Sequence, residues 1–256
     1  MAHEFLRTET EGTVATVWLA RPPVNAVTQA MYREITALFS DVTALGDDVR
    51  AIVLAGEGRH FCGGNDLHEF ETLSPENAEE RMRTVREAFF AIQDCELPVV
   101  GAVQGTAVGT GLAIAASCDF VVAAEDAQLG VPEISVGVMG AARHLARLLP
   151  QPIVRAMFLS GQPRPAAELA RYGAVVEVVA REQLLDAARE RAREIARHSP
   201  LAIRYAKRAL NAIEHMELQE GYCFEQGLTG ELSGSRDAKE AVRAFFEGRE
   251  PEYVGT

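Results

Sequence analysis

Apolar residues recur along this chain with two periods, and each period predicts a different kind of element. Short continuous apolar runs, as in "AIVLAGEG" (51–58), "PVVGAVQG" (98–105) and "DFVVAAE" (119–125), are typical of strands buried on both faces. Near the start, "FLRTE" and "TVATVWLA" flank the turn "TEG" with alternating residues, which predicts a β-hairpin. The first half is therefore rich in strands.

Helical periodicity fills the gaps between these strands. Thr28 is suited to cap a helix that runs to about Leu45, and a second helix is predicted from about Pro75 to Asp94. A short apolar helix is predicted for "TGLAIAASC", directly after a glycine-rich turn. The order of strand, glycine turn, helix and strand occurs three times, which predicts an α/β core of β-β-α units with function at the turns.

From about Pro165 onward the pattern is mostly helical. The segments "REQLLDAARERAREIARHS", "PLAIRYAKRALNAIEH" and "RDAKEAVRAFFEG" are amphipathic and rich in charge, and one short strand, "AVVEVVA", precedes them. We therefore predict a core over residues 1–199 and a helical subdomain over residues 200–256, with the boundary near Pro200.

Composition narrows the classes of function. The 256 residues carry a net charge of −12 with no run of Lys or Arg, which disfavours nucleic acid and anionic membranes as partners. No run of about 18 apolar residues occurs, and "MAHEFLRTETEG" lacks the apolar region of a signal peptide. The four cysteines show no metal-ligand spacing and are expected to be reduced thiols. We expect a cytoplasmic protein without a metal site.

Three stretches carry residues that could do chemistry. Paired Gly63 and Gly64 in "FCGGND" and the glycines of "QGTAVGTG" could turn backbone N–H groups into a pocket, although a tight turn or close packing explains each one alone. Glu133 in "GVPEI" is by itself a common helix-start acid. Together, two loops of N–H donors and one carboxylate are the parts that stabilise an oxyanion and move a proton beside it.

The ordered set "RPPVNAV", "AIVLAGEGRHFCGGNDL", "GAVQGTAVGTGLAIAASCD" and "AQLGVPEISVG" resembles the enoyl-CoA hydratase/isomerase (crotonase) family. The closing "SRDAKEAVRAFFEGREP" resembles that family's last segment, so the resemblance covers nearly the whole chain. It implies the crotonase (ClpP-like) fold, an α/β spiral of β-β-α units with a C-terminal helical trimerisation region. A homotrimer or a dimer of trimers is then expected.

The resemblance also implies a substrate and the residues that hold it. Family members stabilise the enolate of an acyl-CoA thioester with two backbone N–H groups, which at the matching positions belong to Asn65 and Thr110. Coenzyme A enters as part of the substrate, and no separate cofactor is expected. The positions that match the family's CoA-binding and substrate-binding residues are Val24, Ala26, Cys62, Gly63, Gly64, Asp66, Leu67 and Gly109.

The sequence departs from the family pattern at the catalytic acids. A hydratase of this family uses two glutamates, and here only Glu133 is present, because Ala113 occupies the other position. One carboxylate is sufficient to shuttle a proton between two carbons, so enoyl-CoA isomerisation is the leading hypothesis. The alternatives are an enoyl-CoA hydratase or acyl-CoA dehydratase with a non-standard second acid or base, and an acyl-CoA binding protein without catalysis.

A second departure lies in "GAARHLARL", where Arg143 and His144 stand at a usual glycine pair. A helix start with a surface arginine and a partly buried histidine is the favoured interpretation. The other interpretation is that Arg143 or His144 faces the pocket and supplies the missing acid or base.

Overall fold

The computed structural model describes residues 3–256 of the chain. The expected absence of a signal peptide rests on the stretch "MAHEFLRTETEG". The first two residues of that stretch lie outside the described range. The helices in the described part include none long and apolar enough to cross a membrane.

The strands of the described chain form two sheets. The larger has the order β1-β2-β3-β4-β6-β9, in which β1 and β2 are antiparallel and the remaining pairs are parallel. The smaller has the order β5-β7-β8, with β5 and β7 parallel. Their bounds are β1 Leu6–Glu11, β2 Val14–Leu19, β3 Ala51–Gly56, β4 Val99–Val103, β5 Thr106–Val108, β6 Phe120–Ala124, β7 Gln128–Gly130, β8 Arg164–Pro165 and β9 Glu177–Val179.

Helices follow the strands in the predicted order and then dominate the carboxyl-terminal part. Their bounds are α1 Gln29–Ser40, α2 Leu67–Phe70, α3 Ala78–Gln93, α4 Thr110–Ser117, α5 Ala142–Leu148, α6 Gln151–Ser160, α7 Ala166–Leu169, α8 Leu184–Ala196, α9 Pro200–Ile213, α10 Leu218–Ser233 and α11 Arg236–Glu247. Short 3-10 helices cover Val42–Leu45, Pro132–Val136, Ala170–Tyr172 and Arg181–Gln183.

Two of the core units place one strand in the large sheet and the next in the small one. Strands β4 and β5 lead into α4, and strands β6 and β7 lead through the 3-10 helix Pro132–Val136 into α5. This is the β-β-α order that the glycine turns predicted. Because β5 and β7 are parallel neighbours, the segments that leave them come out side by side.

Both faces of the large sheet are covered, as the continuous apolar runs predicted. On β3, Ile52 and Leu54 join the core beneath α1, α3 and α4, whereas Val53 packs with residues of α8 on the opposite face. The side-chain period of two along a strand separates these two cores.

Helix α1 begins where the sequence predicted and ends earlier. The Thr28 hydroxyl accepts a hydrogen bond from the Met31 N–H, as an N-cap does. The α-helix ends at Ser40 because Asp41 takes an extended conformation and its carboxylate caps the following 3-10 helix at Thr43. The predicted helix to about Leu45 is therefore an α-helix followed by a separate 3-10 turn.

The boundary predicted near Pro200 coincides with the first residue of α9, which Ser199 caps at the Ala202 N–H. Helix α9 also reaches back to the core, since the buried Lys207 ammonium donates to the Leu97 carbonyl and to Asp119. The division into residues 1–199 and 200–256 stays a prediction.

Candidate active site

The loop that carries Gly63, Gly64 and Asn65 is held on one side by the segment before α1. The Gly63 N–H donates to the Val24 carbonyl at 2.7 Å, and the Val27 N–H donates to the Gly64 carbonyl at 2.9 Å. The Asp66 N–H donates to the Val27 carbonyl at 3.0 Å, and with the Val27 bond it makes an isolated parallel bridge between Val27 and Asn65. The loop therefore has a fixed path although it contains two adjacent glycines.

The same loop is held on its other side by β5. The Cys62 N–H donates to the Thr106 carbonyl at 2.9 Å, and the Cys62 carbonyl accepts from the Val108 N–H at 3.2 Å. Strand β5 ends at Val108, so Gly109 and Thr110 come out beside Gly64 and begin α4. Two segments distant in sequence thus meet at one point.

The backbone N–H groups predicted to be the oxyanion donors are unoccupied. Within residues 3–256, no carbonyl or side chain accepts a hydrogen bond from the Asn65 amide or from the Thr110 amide. Thr110 is the first residue of α4, where amides lack an intrahelical partner and the helix dipole is positive. Both groups remain available to an anionic or carbonyl oxygen.

Glu133 reaches this point from the 3-10 helix Pro132–Val136, which follows β7. Its carboxylate lies directly over Gly109, because a methyl group added to Gly109 would come within 2.6 Å of Glu133 Oε1. Gly109 has φ +57° and ψ −119°, a conformation that favours glycine. The glycine is thus required both by the backbone and by the carboxylate.

These groups surround one cavity of about 260 Å³. Its wall carries the two predicted donors, the single carboxylate and otherwise mostly apolar or glycine positions, which are Gly63, Gly64, Asn65, Leu67, Val108, Gly109, Thr110, Pro132, Glu133, Ser135, Val136 and Val138. The structure therefore brings Glu133, Asn65 and Thr110 to one place.

Burial raises the pKa of the Glu133 carboxyl above its ordinary value, and its own backbone N–H offsets only part of that rise. Its Oε2 atom is buried and, among the described residues, has no hydrogen-bond donor. An unpaired carboxylate in a mostly apolar cavity is a stronger base than a solvated one, and it can hold a proton closer to neutral pH.

We expect Gly109→Ala to lower kcat by about 100-fold, the scale of a 1 Å misplacement of a reacting group. The added methyl group and the Glu133 carboxylate cannot both keep their positions. Gly12→Ala is the matched control, because Gly12 also has a positive φ, +60°, but nothing within 4 Å of an added methyl group. Because alanine is strained at a positive φ, both variants should lose more than about 1 kcal/mol of unfolding free energy in denaturant titrations. Equal kcat values for the two variants would contradict the placement of Glu133.

Other residues predicted to bind CoA frame the cavity rather than line it. Val24 is exposed beside Gly63, and the Ala26 carbonyl accepts a hydrogen bond from Arg21. Asp66 forms an ion pair with Arg21 at 2.7 Å and caps α2 through the N–H groups of His68 and Glu69. These contacts connect residues 21–26, which precede α1, to Asp66, the residue directly after the donor loop.

Cys62 lies in the hydrophobic core, wholly buried, and burial raises the pKa of its thiol to about 12. Its backbone N–H and carbonyl are both used by β5. It therefore shapes the donor loop from beneath, and the structure gives its side chain no access to a ligand.

Arg143 and His144 do not line the Glu133 cavity. The Arg143 guanidinium is exposed and lies 3.5 Å from the carboxylate of Glu214, the C-cap residue of α9. The His144 ring packs edge-on against Phe89, with ring centroids 4.9 Å apart, and burial lowers its pKa. The favoured interpretation of a surface arginine and a partly buried histidine agrees with this arrangement. Neither brings a second acid or base to the cavity.

Ala113 is buried in the core within α4 and does not line the cavity. Position 113 therefore brings no carboxylate to the cavity.

Tyr32 of α1 also contacts the site, although the sequence pattern did not indicate it. Its side chain is fully buried, and its hydroxyl donates to Asn65 Oδ1 at 2.6 Å and lies 2.7 Å from Thr110 Oγ1. One signal was available, namely a tyrosine among the aliphatic residues of "AMYREI", but its partners are 33 and 78 positions away.

Comparison with known proteins adds to this geometry. The family model described as "Enoyl-CoA hydratase/isomerase" matches residues 9–256. A Mycobacterium tuberculosis protein named "(7aS)-7a-methyl-1,5-dioxo-2,3,5,6,7,7a-hexahydro-1H-indene-carboxyl-CoA hydrolase" is 39% identical over 94% of this chain and 97% of its own. A "Probable enoyl-CoA hydratase" of Rhizobium meliloti is 35% identical over 99% of both chains.

The fold is also matched by solved structures. The crystal structure of an enoyl-CoA hydratase from Bacillus anthracis superposes with a TM-score of 0.93 at 28% identity, covering 99% of this chain and all of that one. The chain thus has the crotonase fold that the ordered motifs predicted.

Proposed function

The chain belongs to the enoyl-CoA hydratase/isomerase family, and from that premise we propose that it moves the double bond of an enoyl-CoA thioester with Glu133 as its single acid-base group. The observation that carries the proposal is the unpaired, buried Oε2 of Glu133 beside two unoccupied backbone amides in one cavity. An acyl-CoA substrate is consistent with the family, and CoA enters as part of it.

In this proposal the thioester oxygen lies between the amides of Asn65 and Thr110. Glu133 takes a proton from the α-carbon of a β,γ-unsaturated thioester, and the amides stabilise the dienolate that results. The same carboxyl then returns the proton to the γ-carbon, which leaves the conjugated α,β-unsaturated product. Each donor of this kind typically contributes about 3 kcal/mol to transition-state stabilisation. No second acid or base is needed.

The experiment is conversion of a β,γ-unsaturated acyl-CoA in D₂O, followed by mass spectrometry and proton NMR. Isomerisation gives the conjugated thioester at the mass of the substrate or with deuterium at the γ-carbon, without gain of water. A hydrated product would instead support the hydratase alternative. Tight binding without any turnover over a panel of chain lengths would support a binding protein.

Hydrolysis is a second candidate, and the name of the Mycobacterium tuberculosis relative, a CoA-ester hydrolase at 39% identity, favours it. Glu133 would then activate water rather than carry a carbon-bound proton. A cyclic diketone that bears a CoA thioester is the discriminating substrate. Hydrolysis of this substrate with gain of one water, together with no isomerisation of simple enoyl-CoA esters, would replace the leading proposal with this one.

Self-association is part of the proposal. Large apolar side chains are exposed on the last three helices, and they are Leu210, Leu218, Tyr222, Val242, Phe245 and Phe246. Apolar surface of this extent is typical of a protein interface. We propose that further copies of the chain cover it in a homotrimer, which light scattering on the eluting protein would test by mass.

A further inference from the structure

Tyr32 lies between the two residues that carry the predicted oxyanion donors. Its phenolic oxygen is 2.6 Å from Asn65 Oδ1 and 2.7 Å from Thr110 Oγ1. Asn65 belongs to the loop after β3, and Thr110 begins α4, so a residue on α1 joins two segments that contact the site independently. The side-chain contacts are made on the side away from solvent, since the Tyr32 side chain is fully buried.

The hydrogen bonds have one consistent direction. A phenol has a single proton, and a carbonyl oxygen such as Asn65 Oδ1 can only accept, so Tyr32 donates to Asn65. The Thr110 hydroxyl then donates to Tyr32. The proton of the Thr110 hydroxyl is therefore used by Tyr32. Within the described chain, the backbone amides of Asn65 and Thr110 remain free to donate to a substrate oxygen.

The ring itself is fixed by packing. Tyr32 contacts Phe89 edge-on, with ring centroids 6.0 Å apart, and α1 packs along α3. A ring held in this way makes its oxygen a fixed point. Because each side-chain bond restricts χ1 and the Cα position of its residue, it also restricts where that residue's N–H points.

We propose that Tyr32 is a positioning residue that holds the Asn65 and Thr110 amides at the spacing an oxyanion requires, by bonding both of their side chains at once. The inference rests on the proposed function, because it assigns the spacing of those amides to the thioester oxygen. Tyr32 itself does not touch the substrate, and it does not line the cavity.

A role as the second proton carrier is a different idea, and the site argues against it. Burial raises the pKa of the Tyr32 phenol far above its ordinary value. Its proton is also already donated to Asn65. The phenol therefore stays neutral and fixed while Glu133 does the proton transfer.

Tyr32→Phe removes both bonds and keeps the packed ring. We expect kcat to fall by at least about tenfold with KM nearly unchanged, short of the 10²–10³-fold loss for a missing donor. Thr36→Val is the matched control, because its hydroxyl bonds the Tyr32 backbone carbonyl on the same helix and is remote from the cavity. Wild-type kcat in Tyr32→Phe would overturn the inference.

A spectroscopic readout separates this role from a loss of fold and from a failure of the proposed function. Infrared spectra of a bound saturated acyl-CoA report how strongly the site polarises the thioester carbonyl, without turnover. We expect a downward carbonyl shift in the wild type and in Thr36→Val, and a smaller shift in Tyr32→Phe. An unchanged shift in Tyr32→Phe overturns the inference alone, whereas no shift in the wild type overturns the proposed oxyanion site and the inference with it.

Thr110 variants test the same bond without altering α1. Thr110→Val removes the hydroxyl that bonds Tyr32, and we expect it to lose part of kcat and part of the carbonyl shift. Adding Tyr32→Phe to Thr110→Val should cost less than it costs in the wild type, because the shared bond is already gone. Fully additive losses in the double variant would contradict a joint positioning role.

Discussion

Glu133→Gln is expected to lower kcat by roughly 10²–10⁴-fold, the contribution typical of a positioned acid-base group. The amide has the shape of the carboxyl but cannot take a proton, and no other described side chain that lines the cavity is a carboxylate or a histidine. Substrate binding should change little. The measurement is steady-state turnover of the β,γ-unsaturated thioester. Turnover within twofold of the wild type would rule out a single-base mechanism through Glu133.

The unfolding free energy of Glu133→Gln distinguishes a loss of catalysis from a loss of folded protein. Because burial raises the folded-state pKa of Glu133, the folded protein binds more protons than the unfolded chain between the two pKa values. Wild-type stability therefore falls as pH rises from the ordinary glutamate pKa through the raised one. Glu133→Gln lacks this loss, so at neutral pH it should be at least as stable as the wild type in urea titrations.

The matched control is Glu125→Gln, which changes an exposed carboxylate at the end of β6, outside the cavity. It should leave both kcat and unfolding free energy nearly unchanged, as surface substitutions usually do. A loss of activity in Glu125→Gln similar to that in Glu133→Gln would mean that net charge, and not the cavity carboxylate, controls turnover.

Local pattern was sufficient to predict the strands of the large sheet and the two glycine loops, but not the small sheet β5-β7-β8. The apolar runs at β3, β4 and β6 are buried on both faces, and such runs have few other solutions in a globular protein. The glycines at the donor loops were informative because a side chain there would collide, as at Gly109 with Glu133. Whether the prediction succeeded at these strands and loops depended on short-range geometry.

Long-range pairing limited the rest of the prediction. Tyr32 takes its role from bonds to the loop after β3 and to α4, and no periodicity in α1 indicates either partner. Arg143 and His144 were candidates because they stand at the family's usual glycine pair. In the structure Arg143 is exposed and His144 packs against Phe89, and neither side chain lines the cavity. A departure from the family pattern marks a position as unusual, but it does not predict which way the side chain points.

Lys207→Met is expected to lower the unfolding free energy by about 3 kcal/mol, more than any of the other substitutions. This value is at the lower end of the cost of breaking a buried ion pair. The Lys207 side chain is 6% exposed, and its ammonium donates to Asp119 at 2.9 Å and to the Leu97 carbonyl at 3.0 Å. The lower end applies because Asp119 is 22% exposed. Within residues 3–256, removing the ammonium leaves that carboxylate with the Val99 N–H as its remaining hydrogen-bond donor.

Unfolding free energies from urea titrations check this expectation. Lys239→Met is the matched control, because Lys239 is exposed on α11 and its loss should stay within about 0.5 kcal/mol. Lys207→Met combined with Asp119→Asn should recover part of the loss, since the amide can still accept from the Val99 N–H without a buried charge. A loss below about 1 kcal/mol in Lys207→Met would show that solvent reaches the pair.

The shape of the transition carries a further consequence for the predicted boundary at residue 200. Lys207 belongs to α9, whereas Asp119 follows α4, the helix that begins at Thr110. If this pair holds the carboxyl-terminal helices to the core, the wild type unfolds in one cooperative step and Lys207→Met separates it into two. A single transition in both proteins would mean that the apolar contacts of α9 hold the two parts together without the ion pair.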